Sequence, residues 1–295
     1  MTAAQPDWHD TLHNVTGKQS SVRNLVLPLD GSTGSRRAIP IGRYLAQLYR
    51  ATLHVLYAAE HPLSPREAVE RLGLTDEDLH GAVLDQQRGD AAEAILDATR
   101  RLTHSMIIMC TNSGHHTGPD CFGSVTEAVM AATPERIVLV ADRDEQPWKV
   151  SRVLLAHDGT PNSDLATAPA AEIAHRAGAT VLAIHVASRG DRYREEPGSL
   201  PAPRYIDQPQ HEWPNWANHF MNRMLAVGAP PSAVSFKLVV TGGQAGSEVA
   251  QVSRERQADL VVMAWHGKWD EPQSATKVVA RTAGCPVLLV YSATE

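Results

Sequence analysis

The sequence predicts an α/β protein made of two similar domains, each a parallel β-sheet covered by helices on both faces. Three observations predict this class: a long internal repeat, short apolar runs typical of buried strands, and segments of helical periodicity between those runs. At 295 residues the chain is long enough for two domains of average size. We place the domains at residues 21–146 and 147–295, after a polar N-terminal tail of residues 1–20.

The repeat begins with an apolar run that ends in Asp-Gly-Ser or Asp-Gly-Thr. Asp30 and Asp158 lie 128 positions apart, and "RATLHVLYA" matches "GATVLAIHV" at the same spacing. "GDAAEAILDATRRL" matches "GQAGSEVAQVSRER" at a spacing of 154, so the second copy holds 26 additional residues between these blocks. "RIVLV" matches "PVLLV" at a spacing of 150. Self-similarity of this length indicates a duplicated domain.

Short runs rich in valine, isoleucine and leucine predict strands that are buried on both faces. Strands separated by helices predict a parallel sheet, because each parallel connection needs a crossover. The predicted strands are residues 25–29, 52–57, 106–109 and 137–140 in the first copy, and 153–156, 180–186, 260–263 and 287–291 in the second. A further pair is predicted near residues 83–86 and 234–240.

The predicted helices contain either a proline interruption or an apolar stripe. The helix after each Asp-Gly turn holds Pro40 or Pro169 past its first turn, where a kink is expected. Residues 189–210 are rich in proline, glycine and charge and predict a loop. The second copy then carries a stripe that packs on its own core or on a partner, the core being the commoner outcome. The striped residues are Ala91, Ala94, Ile95, Ala98 and Leu102 in the first copy and Trp216, Phe220, Met224 and Leu225 in the second.

Composition excludes several classes of protein. A net charge of −6 argues against nucleic-acid binding, which needs a basic surface. The chain has neither an apolar run of about 18 residues nor a signal-peptide pattern, so we expect no membrane association. Cys110, Cys121 and Cys285 are few and odd in number, which favours a reducing compartment. The sequence predicts a soluble, cytoplasmic protein.

The first copy places polar groups where ligands of open parallel sheets bind, at the carboxyl ends of the strands. Asp30 ends the first predicted strand and can accept hydrogen bonds, and Gly31 permits a sharp turn. Ser32 and Ser35 can cap the helix that follows. Taken alone, this tripeptide favours an ordinary turn with a helix cap over a ligand site.

A loop of small residues follows the third long strand and leads into Gly123 and Ser124, which begin an apolar helix. Backbone amides at such a helix start can bind phosphate, and the Ser124 hydroxyl can add a donor. The alternative interpretation is an ordinary N-cap by Ser124.

Clustered cysteines and histidines do not predict a metal site. The spacing of the clustered residues near the third long strand, between positions 110 and 121, matches neither a C-x2-C nor an H-x3-H pattern. His157 and His185 lie beside strand ends, and we interpret them as pocket walls or solvent-facing residues, since catalysis would need a positioned partner. The clustered residues are Cys110, His115, His116 and Cys121.

These features together resemble the universal stress protein family. The matching stretches are "LDGS", "GDAAEAIL", "SMIIM…GSVTEAV" and "CPVLLV", and the resemblance covers nearly the whole chain, twice. It implies two flavodoxin-like domains of the adenine nucleotide α-hydrolase-like type, each a five-stranded parallel sheet with helices on both faces. It also implies binding of ATP or AMP, with Mg²⁺ only as the companion of the nucleotide, and a role in stress response or regulation.

The family's nucleotide site combines the aspartate with a loop of pattern G-x2-G-x9-G-[ST]. In the first copy Cys110 and Ser113 replace the first two glycines, and Gly114 lies one place away. Because both replacements are small, backbone access to phosphate is only partly lost. By this resemblance the residues of the first site are Asp30, Gly31, Ser32, Tyr57, Ser113, Gly114, Gly123, Ser124 and Val125.

The second copy departs further from the family pattern, so we expect its site to be weaker. Ala264 replaces the first glycine, and the shortened loop ends in Gln273 and Ser274. Trp265 and Trp269 are expected to crowd this loop. The residues that would form the weaker site are Asp158, Gly159, Thr160 and Gly267.

Single domains of this family commonly dimerise through their last strands. The resemblance therefore implies that strands 137–140 and 287–291 pair within one chain as an intrachain pseudo-dimer. Association of two such chains into a homodimer stays open.

Three functions are compatible with these features. The first is a regulatory protein that binds an adenine nucleotide with little or no turnover. The second is an enzyme of the same superfamily, but the chain lacks both an S-G-G-x-D-S loop and a Walker A pattern. We therefore predict no enzyme, or at most slow ATP hydrolysis. The third is a nucleotide-free interaction module that acts through partner binding, which the altered glycine loops allow.

Overall fold

The computed structural model describes residues 22–61, 63–111, 122–141, 147–187, 198–200, 212–265 and 274–292. The predicted tail and most of the predicted loop at 189–210 lie outside the described residues. So do Ser113, Gly114 and Gly267, together with Trp269 and the predicted cluster members His115, His116 and Cys121.

The strands of the described residues form one continuous sheet in the order β3-β2-β1-β4-β5-β10-β9-β6-β7-β8. Within each half all neighbouring strands are parallel, which confirms the predicted α/β class. The strands are β1 Asn24–Pro28, β2 Thr52–Ala59, β3 Ala82–Arg88, β4 Ser105–Cys110, β5 Arg136–Val140, β6 Arg152–Ala156, β7 Thr180–Ala187, β8 Phe236–Gly242, β9 Leu260–Trp265 and β10 Val287–Tyr291.

The two halves join through their last strands, β5 and β10, which pair antiparallel. Val287 lies opposite Leu139, and Leu288 lies opposite Val138. The structure therefore has the intrachain pairing that the resemblance implied. It makes a single sheet out of two parallel ones.

Alternate side chains of the central strands point to opposite faces of the sheet, and both faces are covered. Leu25 and Leu27 belong to one buried cluster, while Val26 between them belongs to the other. This period of two is the ordinary geometry of a strand. Because both sides are buried, the central strands carry apolar runs instead of an alternating pattern.

Where one kinked helix was predicted after each Asp-Gly turn, the structure has two helices, and the proline lies in the first turn of the second. Pro40 occupies the second position of the helix Ile39–Tyr49 (α2), and Pro169 lies in the first turn of the helix Thr167–Ala177 (α8). Early helix positions need no partner for their N–H, so proline is tolerated there and the chain breaks just before it. The helices are α1 Thr33–Arg36, α2 Ile39–Tyr49, α3 Pro65–Leu72, α4 Asp76–Leu79, α5 Ala91–Arg101, α6 Ser124–Ala132, α7 Pro161–Asp164, α8 Thr167–Ala177, α9 Glu212–Gly228, α10 Ala245–Glu255 and α11 Ala275–Thr282.

Two short helices between β2 and β3 were not predicted. Each begins with a capping box: Ser64 with Glu67 at α3, and Thr75 with Asp78 at α4. The signal was therefore present in the sequence as Ser or Thr followed three residues later by an acidic residue.

In the second domain the equivalent connection between β7 and β8 contains the long helix α9. Phe220 and Met224 are fully buried against the same core as α8, so the predicted packing of this stripe on a core is correct. Leu225, at the edge of the stripe, is only partly buried. Across the described residues, no helix combines the length and apolar character needed to cross a bilayer.

Candidate functional site

A cavity of about 470 Å³ opens at the carboxyl ends of the strands in the first domain. Its walls come from the ends of β1, β2 and β4, the last turn of α3, and the starts of α5 and α6. The chain order reverses here, because β1 has β2 on one side and β4 on the other. Such a switch point is the usual ligand position in open α/β sheets.

The structure brings together most of the described residues that the sequence predicted for this site. Asp30, Tyr57, Gly123, Ser124 and Val125 all line the cavity, although they come from three separate parts of the chain. The remaining lining residues are Pro28, Leu29, Ser35, Leu56, Ala58, Arg71, Ala91, Ile95, Met109, Cys110 and Thr126.

A network of short hydrogen bonds fixes the turn behind Asp30. The Asp30 carboxylate accepts a hydrogen bond from the Ser32 amide (2.9 Å). The Ser32 hydroxyl oxygen accepts one from the Ser35 amide (3.1 Å) and so caps α1. Ser35 does not act as a cap: its hydroxyl donates to the Ser32 carbonyl (3.0 Å) and its side chain is buried. The turn thus holds the solvent-exposed Asp30 at the cavity wall.

Gly31 is required by two constraints that the structure makes visible. Its φ of +82° lies in the left-handed region, which favours glycine. A Cβ at this position would lie 2.7 Å from the carbonyl oxygen of Arg71, at the end of α3. The absence of a side chain therefore lets α3 approach the turn and contribute to the cavity.

The start of α6 forms another wall of the cavity. Gly123 is its N-cap and provides no side-chain cap, so the interpretation of Ser124 as N-cap was wrong: Ser124 is the first helical residue. The Gly123 amide donates to Thr111 (2.9 Å) and the Thr126 hydroxyl donates to Cys110 (3.1 Å), which fixes the helix start against the end of β4. First-turn amides with the helix dipole behind them suit an anionic group.

Sequence reasoning missed Arg71 because it missed the helix that carries it. Cys110 was predicted as a replaced glycine of the loop and as a member of the cysteine and histidine cluster, but not as a residue that lines the cavity wall. Its thiol donates to the Gly34 carbonyl oxygen (2.9 Å), which ties the end of β4 to α1. Only the capping box at Ser64 could have placed Arg71 in the last turn of a helix near this site.

In the second domain the matching aspartate, Asp158, is held by hydrogen bonds within its own turn. One carboxylate oxygen of Asp158 accepts hydrogen bonds from the Thr160 amide (2.9 Å), the Thr160 hydroxyl (2.7 Å) and the Ser163 hydroxyl (2.5 Å). Partial desolvation alone would raise the pKa of Asp158, but these hydrogen bonds outweigh it and lower the pKa. Thr160 also caps α7.

The inserted segment of the second domain lies directly on this turn. A Cβ at Gly159 would lie 2.7 Å from the carbonyl oxygen of Leu200, and the Leu200 amide donates to Gly159 (2.9 Å). The Trp216 indole N–H donates to the same Leu200 carbonyl (3.4 Å). Helix α9 and residues 198–200 therefore cover Gly159 and Thr160, which are buried, while Asp158 stays exposed.

A buried polar network supports this cover. His157 Nε2 lies 2.9 Å from Asp164, whose other oxygen pairs with Arg223 (2.5 Å), while the Gly159 amide donates to His157 Nδ1 (3.0 Å). His157 is 4% exposed, so the interpretation of this residue as solvent-facing was wrong.

His185 continues the network beneath α9. It is 3% exposed, so it too does not face solvent. Its Nδ1 donates to the His157 carbonyl (3.0 Å), and its ring packs 4.9 Å from Trp216 and 5.4 Å from Phe220. Burial is the main cause that lowers the pKa of His185, so the ring is held neutral.

The helix start of the second domain also differs from its counterpart. Ser274 is the N-cap of α11, and its hydroxyl accepts a hydrogen bond from the Lys277 amide (3.4 Å). Gly123 offers no such group. Trp265, expected to crowd the loop, is buried in the core at the end of β9. Among the described residues, no three His, Cys, Asp or Glu side chains form a group that could hold a metal ion.

Comparisons with known proteins identify the fold independently of this geometry. A sequence model described as the universal stress protein family matches residues 21–141 and again residues 149–291. Among curated proteins, none matches this chain significantly by sequence.

Several solved structures share the fold at low sequence identity. A functionally unknown protein from Pseudomonas aeruginosa PAO1 is 13% identical, with a TM-score of 0.65 over 92% of this chain and 93% of that chain. A putative universal stress protein from Pseudomonas aeruginosa UCBPP-PA14 is 14% identical, with a TM-score of 0.63 over 92% of this chain and 94% of that chain. A universal stress protein from Archaeoglobus fulgidus DSM 4304 is 16% identical, with a TM-score of 0.63 over 93% of this chain and 98% of that chain.

The duplicated parallel sheet, the Asp-Gly turn repeated at the same place in each half, and two successive family matches lead to one conclusion. The chain belongs to the universal stress protein family and carries two of its domains in tandem.

Proposed function

We propose that the cavity of the first domain binds an adenine nucleotide, ATP or AMP, as a regulatory ligand with little or no turnover. The observation that carries this proposal is the convergence of Asp30, Tyr57 and the Gly123 helix start on one cavity at the switch point of the sheet. Its volume of about 470 Å³ lies within the range usual for small-ligand sites. Membership of a family with nucleotide-binding members supports the proposal.

The lining residues suggest how such a ligand would be held. The first turn of α6 would bind phosphate through its amides and the Ser124 hydroxyl, with Mg²⁺ as a companion of the phosphates. The Asp30 carboxylate would accept hydrogen bonds from hydroxyl or amino groups of the nucleoside. Apolar side chains such as Leu56 and Ile95 would exclude water around it.

We propose that the second domain is mainly structural. One oxygen of its aspartate already accepts three hydrogen bonds, Leu200 covers Gly159 of its turn, and its helix start is capped by Ser274. These features give some support to a second candidate, in which the protein is a nucleotide-free interaction module. That candidate would apply to the whole chain only if the first cavity also binds nothing.

The decisive experiment compares nucleotide content and affinity in the wild type, Asp30→Ala and Asp158→Ala. Mass spectrometry of small molecules released by heat denaturation detects co-purified adenine nucleotide, and calorimetry gives the Kd for ATP and AMP. We expect Asp30→Ala to weaken binding by about tenfold or more, since it removes charged hydrogen bonds. Asp158→Ala should lower thermal stability with little change in Kd.

Equal loss of binding in both variants would contradict the assignment of the site to the first domain. A wild-type protein that releases no nucleotide and shows no thermal shift with ATP or AMP would favour the interaction module. Steady release of phosphate or pyrophosphate above background would instead indicate an enzyme.

A further inference from the structure

We propose that Arg71 is a specificity residue of the first cavity, and that its guanidinium binds a phosphate group of the ligand. The cavity would then select phosphorylated adenine compounds over the free nucleoside. This inference rests on the proposed nucleotide site and goes beyond it by naming the recognised group and the residue that recognises it.

Local sequence fixes the helix that carries Arg71. Helix α3 starts at Pro65 with a capping box, in which Ser64 and Glu67 satisfy each other's amides (3.3 and 2.9 Å). The helix ends at Leu72, and the C-cap that follows is Gly73, whose φ of +60° is left-handed. A helix with both ends defined places Arg71 in its last turn, independently of any ligand.

Close backbone contact places this turn against the cavity. The Arg71 carbonyl oxygen lies 2.7 Å from the position of a Cβ on Gly31, so only glycine allows the approach. The contact brings the last turn of α3 beside the Asp30 turn, and from there the long Arg71 side chain would extend toward a phosphate held at the start of α6. Arg71 is accordingly one of the residues that line the cavity.

The Arg71 guanidinium is available to a ligand. The side chain is exposed, and within the described part of the chain it forms neither an ion pair nor a hydrogen bond. Arg43 of the same domain, in contrast, pairs with Glu77 (3.1 Å). An unpaired guanidinium presents five N–H donors in a planar arrangement that binds phosphate through two hydrogen bonds at once.

The second domain supplies an internal comparison. The carbonyl of Leu200 lies 2.7 Å from the Cβ position of Gly159, the same distance as that between Arg71 and Gly31. The residue that lies over Gly159 is thus a leucine, whereas the residue that lies over Gly31 is an arginine. Both covers come from the region where the repeat spacing changes from 128 to 154, so this difference lies outside the duplicated sequence.

Calorimetric titration of the full chain with ATP, AMP and adenosine tests the proposal. We expect Arg71→Gln to weaken ATP binding by about 10- to 100-fold, the range for loss of charged hydrogen bonds. Adenosine affinity should change by less than about twofold, and Arg71→Lys should retain part of the ATP affinity because it keeps the charge. Arg66→Gln is the matched control, since Arg66 is exposed on the same helix and is not among the lining residues.

Thermal unfolding and circular dichroism show whether α3 stays folded in each variant, and Arg71→Lys provides a second reading if Arg71→Gln is unstable. Equal losses for ATP and adenosine would overturn phosphate recognition, because they would place the guanidinium against the nucleoside. Unchanged ATP affinity in a folded Arg71→Gln protein would overturn the role of Arg71 alone. A wild-type protein that binds neither ATP nor AMP would refute the nucleotide site itself.

Discussion

Gly31 and Gly159 are equivalent glycines of the two Asp-Gly turns, and each allows a different segment to approach its turn closely. Each adopts a positive φ, and each would place a Cβ 2.7 Å from a carbonyl oxygen of a covering segment. In the first domain the covering residue is Arg71, and in the second it is Leu200. The glycine is thus constrained by backbone geometry in both copies, while the chemistry above it differs.

Substitution of Gly31 should affect both stability and binding. We expect Gly31→Ala to cost more than the roughly 1–2 kcal/mol of a left-handed alanine, because the new Cβ also collides with the backbone of α3. Displacement of α3 should in addition weaken ATP binding. Chemical denaturation measures the free energy of unfolding, and calorimetry measures the Kd.

The matched control is Gly81→Ala. Gly81 has a φ of +74°, but nothing lies within 4 Å of its Cβ position. Gly81→Ala should lower the free energy of unfolding only by the cost of a left-handed alanine, and the Kd for ATP should stay unchanged. Equal losses of stability in the two variants would show that the α3 contact at Gly31 is not tight.

His185 should make the stability of the second domain sensitive to acid. Burial lowers the pKa of His185 below its ordinary value of 6.5, so the unfolded chain takes up a proton more readily than the folded protein. Stability contributed by the neutral ring is present above pH 6.5 and is lost as the pH falls through the folded pKa. We expect the midpoint temperature of thermal unfolding to decrease as the pH is lowered below 6.5.

His185→Phe should flatten this pH dependence, since it keeps an aromatic ring beside Trp216 and cannot titrate. His175→Gln, at an exposed position on α8, serves as the control and should keep the wild-type profile. A pH profile unchanged in His185→Phe would assign the acid sensitivity to other groups.

At the scale of elements, the pairing of β5 with β10 joins two sheets that would otherwise each present an open edge. Val138 and Leu288 face one buried cluster, and Leu139 and Val287 face the other. Both layers of core therefore continue across the junction. Side-chain packing as well as backbone hydrogen bonding holds the halves together.

Leu288→Ala should consequently destabilise the first domain as well as its own. A fully buried leucine truncated to alanine typically costs about 2–5 kcal/mol. We expect faster hydrogen exchange at amides of β4 and β5, which mass spectrometry of peptides resolves. Ile184→Ala is the control, because Ile184 is equally buried on β7 and lies away from the junction. Exchange in β4 and β5 that responds alike to both variants would argue against local coupling through the strand pair.

At the scale of the whole molecule, further contacts connect the halves beside the strand pair. The Tyr44 hydroxyl accepts a hydrogen bond from the Val150 amide (3.2 Å), and its ring meets Trp148 at 5.3 Å. Arg136 of β5 lies 3.6 Å from Glu172 of α8. Side-chain contacts therefore hold the two halves together in addition to the covalent link and the strand pair.

The molecule is symmetric in its sheet and asymmetric at its ligand edges. The strands obey the repeat closely, because burial on both faces demands the same apolar runs in each copy. The segments between the second and third strands of each half do not, since they lie outside the sheet and are free to differ. The first domain has two short helices there, and the second has α9 with residues 198–200.

The sequence alone determined the duplication, the strands and the two Asp-Gly turns. Each of these is encoded locally, by apolar periodicity or by the few residues that tolerate a left-handed turn. Through resemblance to a family it also predicted that Asp30, Tyr57 and Gly123 belong together, and all three line one cavity.

Only the tertiary structure decided what surrounds those residues. Nothing local to Arg71 or Leu200 shows that each lies over a glycine of a distant turn, because such a contact depends on the path of the connecting segment. The burial of His157 beneath α9 has the same origin. Short-range sequence patterns fix where the chain turns, whereas long-range packing decides which segment lies over each turn.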